Sequence, residues 1–285
     1  MTRAGGLALM FTAPVLWSTA GVVTRHIERA TPFELVFWRS FFCFLFMALA
    51  VGALRMRPKL EWPMLASAGL WAVMFTAFMI ALTLTTTANT LVVMSVCPLL
   101  TTLLAAAFLR DPLPVSTWIA AGAAGLGIAW MFGSDLASHT RTDLLGMLIA
   151  SSIPLASAIN VVVLRAAGAS VDLRPALAIG AVVSCLVALP VALPLHATPK
   201  DLALLAFLGV FQLALPCMFL VMASRVLLAP EMALIGLLEV VLGPLWAWLG
   251  AGEVPARATL SGGAIVLGAL VLNEVVAFRR PSAAP

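Results

Sequence analysis

Residues 62–109 read WPMLASAGLWAVMFTAFMIALTLTTTANTLVVMSVCPLLTTLLAAAFL, without one Asp, Glu, Lys, Arg or His. Crossing the hydrocarbon of a bilayer takes about 20 helical residues. The stretch therefore predicts two crossings, near 62–82 and 88–109, joined by a short Thr-rich turn. In lipid the backbone must satisfy its own polar groups, so such runs are read as helices.

The pattern continues in both directions. Apolar runs bounded by charge, Pro or Gly precede it at 5–24 and 33–54, and follow it at 115–133, 144–164, 175–195, 202–222, 231–250 and 258–277. The predicted fold is an all-α integral membrane protein of ten transmembrane helices. Connections are short, the longest near 134–143 and 165–174, so no soluble domain hangs from either face. Composition agrees: 63% of residues are apolar and only 10% charged, against roughly 25% charged in a soluble domain. The lipid bilayer is the expected partner. A net charge of +4 carried by scattered single basic residues does not form a nucleic-acid stripe. Cys43, Cys97, Cys185 and Cys217 lie inside apolar runs and read as packed thiols. The first run is too long for a signal-peptide core and reads as a retained span.

Basic residues of short loops set orientation. One side collects Arg3, Arg55, Arg57, Lys59, Arg110, Arg165, Arg174, Arg225, Arg279 and Arg280; the other holds Arg25, Arg29, Arg141, Lys200 and Arg257. The imbalance puts both termini in the cytoplasm, as in a multi-pass protein of a bacterial inner membrane. Trp62, Trp118, Trp130, Trp246 and Trp248 fall near span ends, where indole prefers the headgroup boundary. Trp17 and Trp71 fall mid-span and need another reason.

Sliding the chain on itself by 140 positions aligns Gly6 with Gly146, Pro14 with Pro154, Val22 and Val23 with Val162 and Val163, and Arg25 with Arg165; a shift of 142 aligns Asp111 with Glu253. The expectation is two five-helix repeats, 1–140 and 141–285. An odd number of spans per repeat inverts the second copy, giving two inverted halves around a central cavity. Halves of that kind alternate access by exchanging conformations.

Few polar groups lie within the runs: Arg39, Asn160, Gln212 and Glu239, with Glu34, Asn89 and Glu231 nearer the ends. Each is costly in hydrocarbon and needs a partner or a wet cavity. Arg39 and Glu239 form a buried charge pair in one reading; in the other Arg39 serves Glu34. Glu239 is also a candidate for a substrate ammonium or a proton. Asn160 and Gln212 offer donor and acceptor together, suiting a zwitterion, or else bond across helices. Trp17 and Trp71, with Phe75 and Phe78, make a candidate stacking wall for a flat ring. Pro14, Pro98, Pro154, Pro216 and Pro244 sit near mid-span, where a missing backbone bond makes a hinge or frees a carbonyl. Ala121–Gly125 and Ala264–Gly268 are small-residue pairs that brace the fifth and tenth spans or form a homodimer contact, with a monomer favoured.

Pro14-Val15-Leu16-Trp17-Ser18, the Pro32-to-Arg39 opening of the second span, Ala88-Asn89, Pro98 followed by Asp111, and Gly252-Glu253 resemble the drug/metabolite transporter superfamily. They are most similar to its ten-helix EamA-type family, and within it to the YddG-type aromatic amino acid exporters. Arg110-Asp111 departs from the Gly-Glu usual after the fourth span. The resemblance implies export of aromatic or bulky apolar amino acids and related metabolites from the cytoplasm, a broad-specificity drug/metabolite efflux protein being the alternative. There is no phosphate loop with its Lys, no His-Glu-x-x-His and no nucleophile elbow, so neither enzyme chemistry, cofactor nor metal is expected. His26, His139 and His196 read as solvated loop residues.

Overall fold

The computed structural model describes residues 2–53, 60–109, 115–133, 140–167, 175–223, 226–227, 232 and 235–279, and among these there is no strand. The helices are α1 (Arg3–Trp17), α2 (Ala20–Thr24), α3 (Pro32–Ala53), α4 (Trp62–Leu84), α5 (Thr87–Met94), α6 (Cys97–Leu109), α7 (Val115–Gly133), α8 (Arg141–Ala167), α9 (Ala176–Ala192), α10 (Pro199–Phe207), a π-helical segment Leu208–Ala214, α11 (Leu215–Ala223), α12 (Leu238–Ala251) and α13 (Arg257–Arg279). Among the described residues six stretches are long and apolar enough to cross a membrane: Arg3–Thr24, Pro32–Ala53, Trp62–Leu84, Thr87–Phe108, Arg141–Val163 and Pro199–Leu220. Val115–Trp130, Ala176–Ala192, Leu238–Ala251 and Arg257–Asn273 are shorter apolar helices. Large apolar side chains face outward along them, Trp62, Phe108, Leu126 and Leu272 among the most exposed, as a lipid-solvated surface requires.

The first run is not continuous, as the sequence predicted, but breaks at Ser18–Thr19. Pro14 lies inside α1, one turn before the break, and lacks the N–H that would bond the Met10 carbonyl; at the break itself the hydroxyls of Ser18 and Thr19 donate to the carbonyls of Val15 (2.8 Å) and Leu16 (2.7 Å). The fourth run breaks the same way at Ser95–Val96, with Ser95 Oγ on the Val92 carbonyl at 2.7 Å and Pro98 the second residue of α6, where no N–H is missed. By contrast α8 runs through Pro154 and α12 through Pro244 without a break. Pro216 follows the π-helical segment, whose wider turn absorbs the lost bond.

In the packing, α4 lies against α8 and α9, α3 against α9 and the π segment, α1 against α11, α7 against α13, α5 and α6 against α8, and α12 against α1, α2 and α5. Two close approaches position the site. A Cβ on Gly180 would meet the Trp71 Cβ at 2.6 Å, and one on Gly209 would meet the Arg39 carbonyl oxygen at 2.6 Å. Between α7 and α13 the face in contact carries Ala120, Ala124 and Gly127 against Val266 and Gly262; the predicted small residues Gly125 and Gly268 meet nothing there.

Candidate functional site

A cavity of about 680 Å³ lies inside the bundle. Its wall takes Trp17 from the end of α1, Arg39 from α3, Trp71, Phe75 and Phe78 from α4, Gln212 from the π segment and Glu239 from α12. Trp71 and Phe75 face each other with ring centroids 5.5 Å apart. The predicted aromatic wall and three of the four predicted mid-span polar groups are thus brought together, with Pro98 and Pro154 also on the wall. Pro14, Pro216 and Pro244 are not.

Asn160 was expected here and is elsewhere. It is buried in α8 off the cavity wall, its Oδ1 without a partner. The expected direct contact between Arg39 and Glu239 is not made either. Arg39 Nε and Nη2 both donate to Gln212 Oε1, at 3.1 and 2.9 Å. Gln212 Nε2 donates in turn to the Trp17 carbonyl at 3.3 Å, which locks the end of α1 to the π segment. The Arg39 guanidinium carbon lies 5.3 Å from the Phe78 ring centroid, a cation–π distance. Glu34 does not serve Arg39: its carboxylate accepts the backbone N–H groups of Thr31, His196 and Ala197. Asn89 is structural, bonded to the hydroxyls of Thr85 and Thr259. Trp246, expected at a headgroup boundary, donates from Nε1 to Ser18 Oγ at the break of the first span.

One end of the bundle is sealed by carboxylates that tie the first half of the chain to the second. Arg25 Nε donates to Glu253 Oε2 at 2.8 Å, and Glu253 also accepts the Thr87 N–H and hydroxyl. Asp201 accepts the N–H groups of Glu28, Arg29 and Thr198. Glu34 closes the set through His196 and Ala197. None of these residues lines the cavity, whose wall reaches instead to Met10, Thr117, Leu220 and Asn273. The sequence marked Arg25 and Glu253 as repeat positions, and nothing in it joined them. Cys97 and Cys217, read as packed thiols, also lie on the wall. Glu231, Asp111, His139 and seven of the fifteen orienting basic residues lie outside the described residues. Among the described residues no cluster of His, Cys, Asp or Glu has the makings of a metal site.

A bundle of membrane-length apolar helices around an internal cavity with an aromatic wall and a few polar groups is an arrangement able to hold a small molecule. Residues 4–133 match the EamA-like transporter family. The fold extends beyond the matched segment: one crystal structure of a protein is similar over 98% of this chain and 99% of that one, at 19% identity and a TM-score of 0.67. No curated protein matches the sequence.

Proposed function

We propose that this chain is an alternating-access exporter of aromatic or bulky apolar amino acids and related metabolites. In this reading it crosses a bacterial inner membrane ten times, with both termini cytoplasmic and the halves 1–140 and 141–285 inverted. The observation that carries it is the cavity, where Trp17, Trp71 and Phe78 face Gln212 and Glu239 in a space built by both halves. The helix pairings support the inverted repeat, because exchanging each span with the one five places on maps the main cross-half pairings onto one another. Third with sixth becomes eighth with first, second with eighth becomes seventh with third, and fourth with sixth becomes ninth with first. The carboxylate seal at the end holding Arg25 and Lys200, the outer side by the charge rule, corresponds to an inward-facing state.

The test is uptake of labelled tryptophan, phenylalanine, threonine and a lipophilic cation into proteoliposomes, with and without a pH gradient. Aromatic uptake with counterflow supports the reading; transport of threonine or the cation alone overturns it. Cation transport would favour the broad efflux alternative, for which Glu239, a carboxylate on an apolar wall with no hydrogen-bond partner among the described residues, is the supporting feature.

A further inference from the structure

Among the described residues Arg39 is the one cation on the cavity wall and Glu239 the one anion. Arg39 is 2% exposed, two of its nitrogens share a single amide oxygen, and the third, Nη1, has no partner. An amide orients a guanidinium without neutralising it, and a buried charge lacking a counter-ion is expensive. Other described carboxylates already have partners: Glu34 three backbone N–H groups, Asp201 three, Glu253 Arg25 and Thr87, Glu28 Lys200, and Asp143 the Thr140 N–H and hydroxyl. Glu239 shares the cavity yet makes no ion pair with Arg39.

Resting on the transporter reading above, we propose that Arg39 is the carboxylate-binding group of the substrate site and that Glu239 receives the ammonium, so that the species carried is a zwitterion. Gln212 is the positioning residue: held by the Trp17 carbonyl, it fixes the plane of the guanidinium and leaves Nη1 for the incoming anion. A planar fork of N–H donors matches a carboxylate where an ammonium would not. Phe78 covers the guanidinium in this conformation, so the carboxylate reaches Nη1 by displacing that ring. Separation of the two protein charges is the useful feature. Paired with each other, they would have nothing left for the ends of a substrate.

The experiment measures binding of phenylalanine, phenethylamine and hydrocinnamate to the purified full chain by titration calorimetry, alongside leucine, isopentylamine and 4-methylpentanoate. Wild type is expected to prefer the zwitterion over either truncated analogue by about 10- to 100-fold, as one charge-assisted contact supports. Arg39→Gln removes the preference over the amine and leaves that over the acid; Glu239→Gln does the reverse. Gln212→Glu keeps the guanidinium but supplies it with an internal carboxylate, and is expected to reproduce the Arg39→Gln loss even where Arg39→Gln fails to fold. Unchanged discrimination in Arg39→Gln or Gln212→Glu overturns the proposal. If the pattern holds in the leucine set and not in the phenylalanine set, Arg39 keeps its role and the aromatic specificity falls. If no compound of either set binds, both fall.

Discussion

In the proposed repeat, the halves 1–140 and 141–285 treat corresponding residues differently. Pro14 precedes a broken helix, while Pro154, 140 residues on, sits in a continuous one. Gly69 meets nothing, while Gly209 at the same offset is pressed against the backbone of α3. The position 140 residues on from Arg39 is Ile179, and from Trp71 it is Phe211, which faces outward. On that reading the scaffold repeats and the chemistry does not. The charged and aromatic groups on the cavity wall therefore come from non-equivalent positions of the two halves, with Gln212 from the second half bonded to Arg39 from the first.

The largest expected effect is at the glycine pair. Gly209→Val forces a side chain into the α3 backbone and should cost about 1–3 kcal/mol, seen as a lowered unfolding midpoint in detergent. Gly69→Val should stay within about 0.5 kcal/mol; equal losses would erase the asymmetry. Next, Pro14→Ala restores a backbone donor to the Met10 carbonyl, stiffening the turn that leads into the first-span break, and should slow counterflow about tenfold, with Pro154→Ala within about twofold. A reversal of that order would move the working hinge to the second half. Glu253→Gln weakens a seal between halves and should raise maleimide labelling of an engineered Ile27→Cys several-fold, unless the Asp201 and Glu34 contacts hold that end shut alone. Smallest of all, Asn160→Leu should leave substrate affinity within about twofold, because the side chain is off the wall. A larger loss would return Asn160 to the site.

The spans were readable because lipid demands long uncharged runs. The sequence placed crossings at 62–82 and 88–109, and the helices are Trp62–Leu84 and Thr87–Leu109 with a break inside the second. The breaks at Ser18–Thr19 and Ser95–Val96 were not readable, since Pro154 and Pro244 are flanked by equally apolar sequence and break nothing. Which face of a span looks inward was also hidden. In a helix that is apolar all round, periodicity does not separate lipid from interior, so Asn160 was assigned to the cavity together with Gln212. The Arg39–Gln212 contact further depends on the π segment that aims Gln212, and no residue pattern announces a π turn.

Cys97 and Cys217 put one native thiol from each half on the cavity wall, while Cys43 is fully buried in the packing between helices. The molecule thus carries its own occupancy gauge. A small mercurial entering the vestibule meets a sulfur from either side, and whatever fills the space should shield both at once, so reagent kinetics on the unmutated protein report when the chamber is loaded and by which compounds.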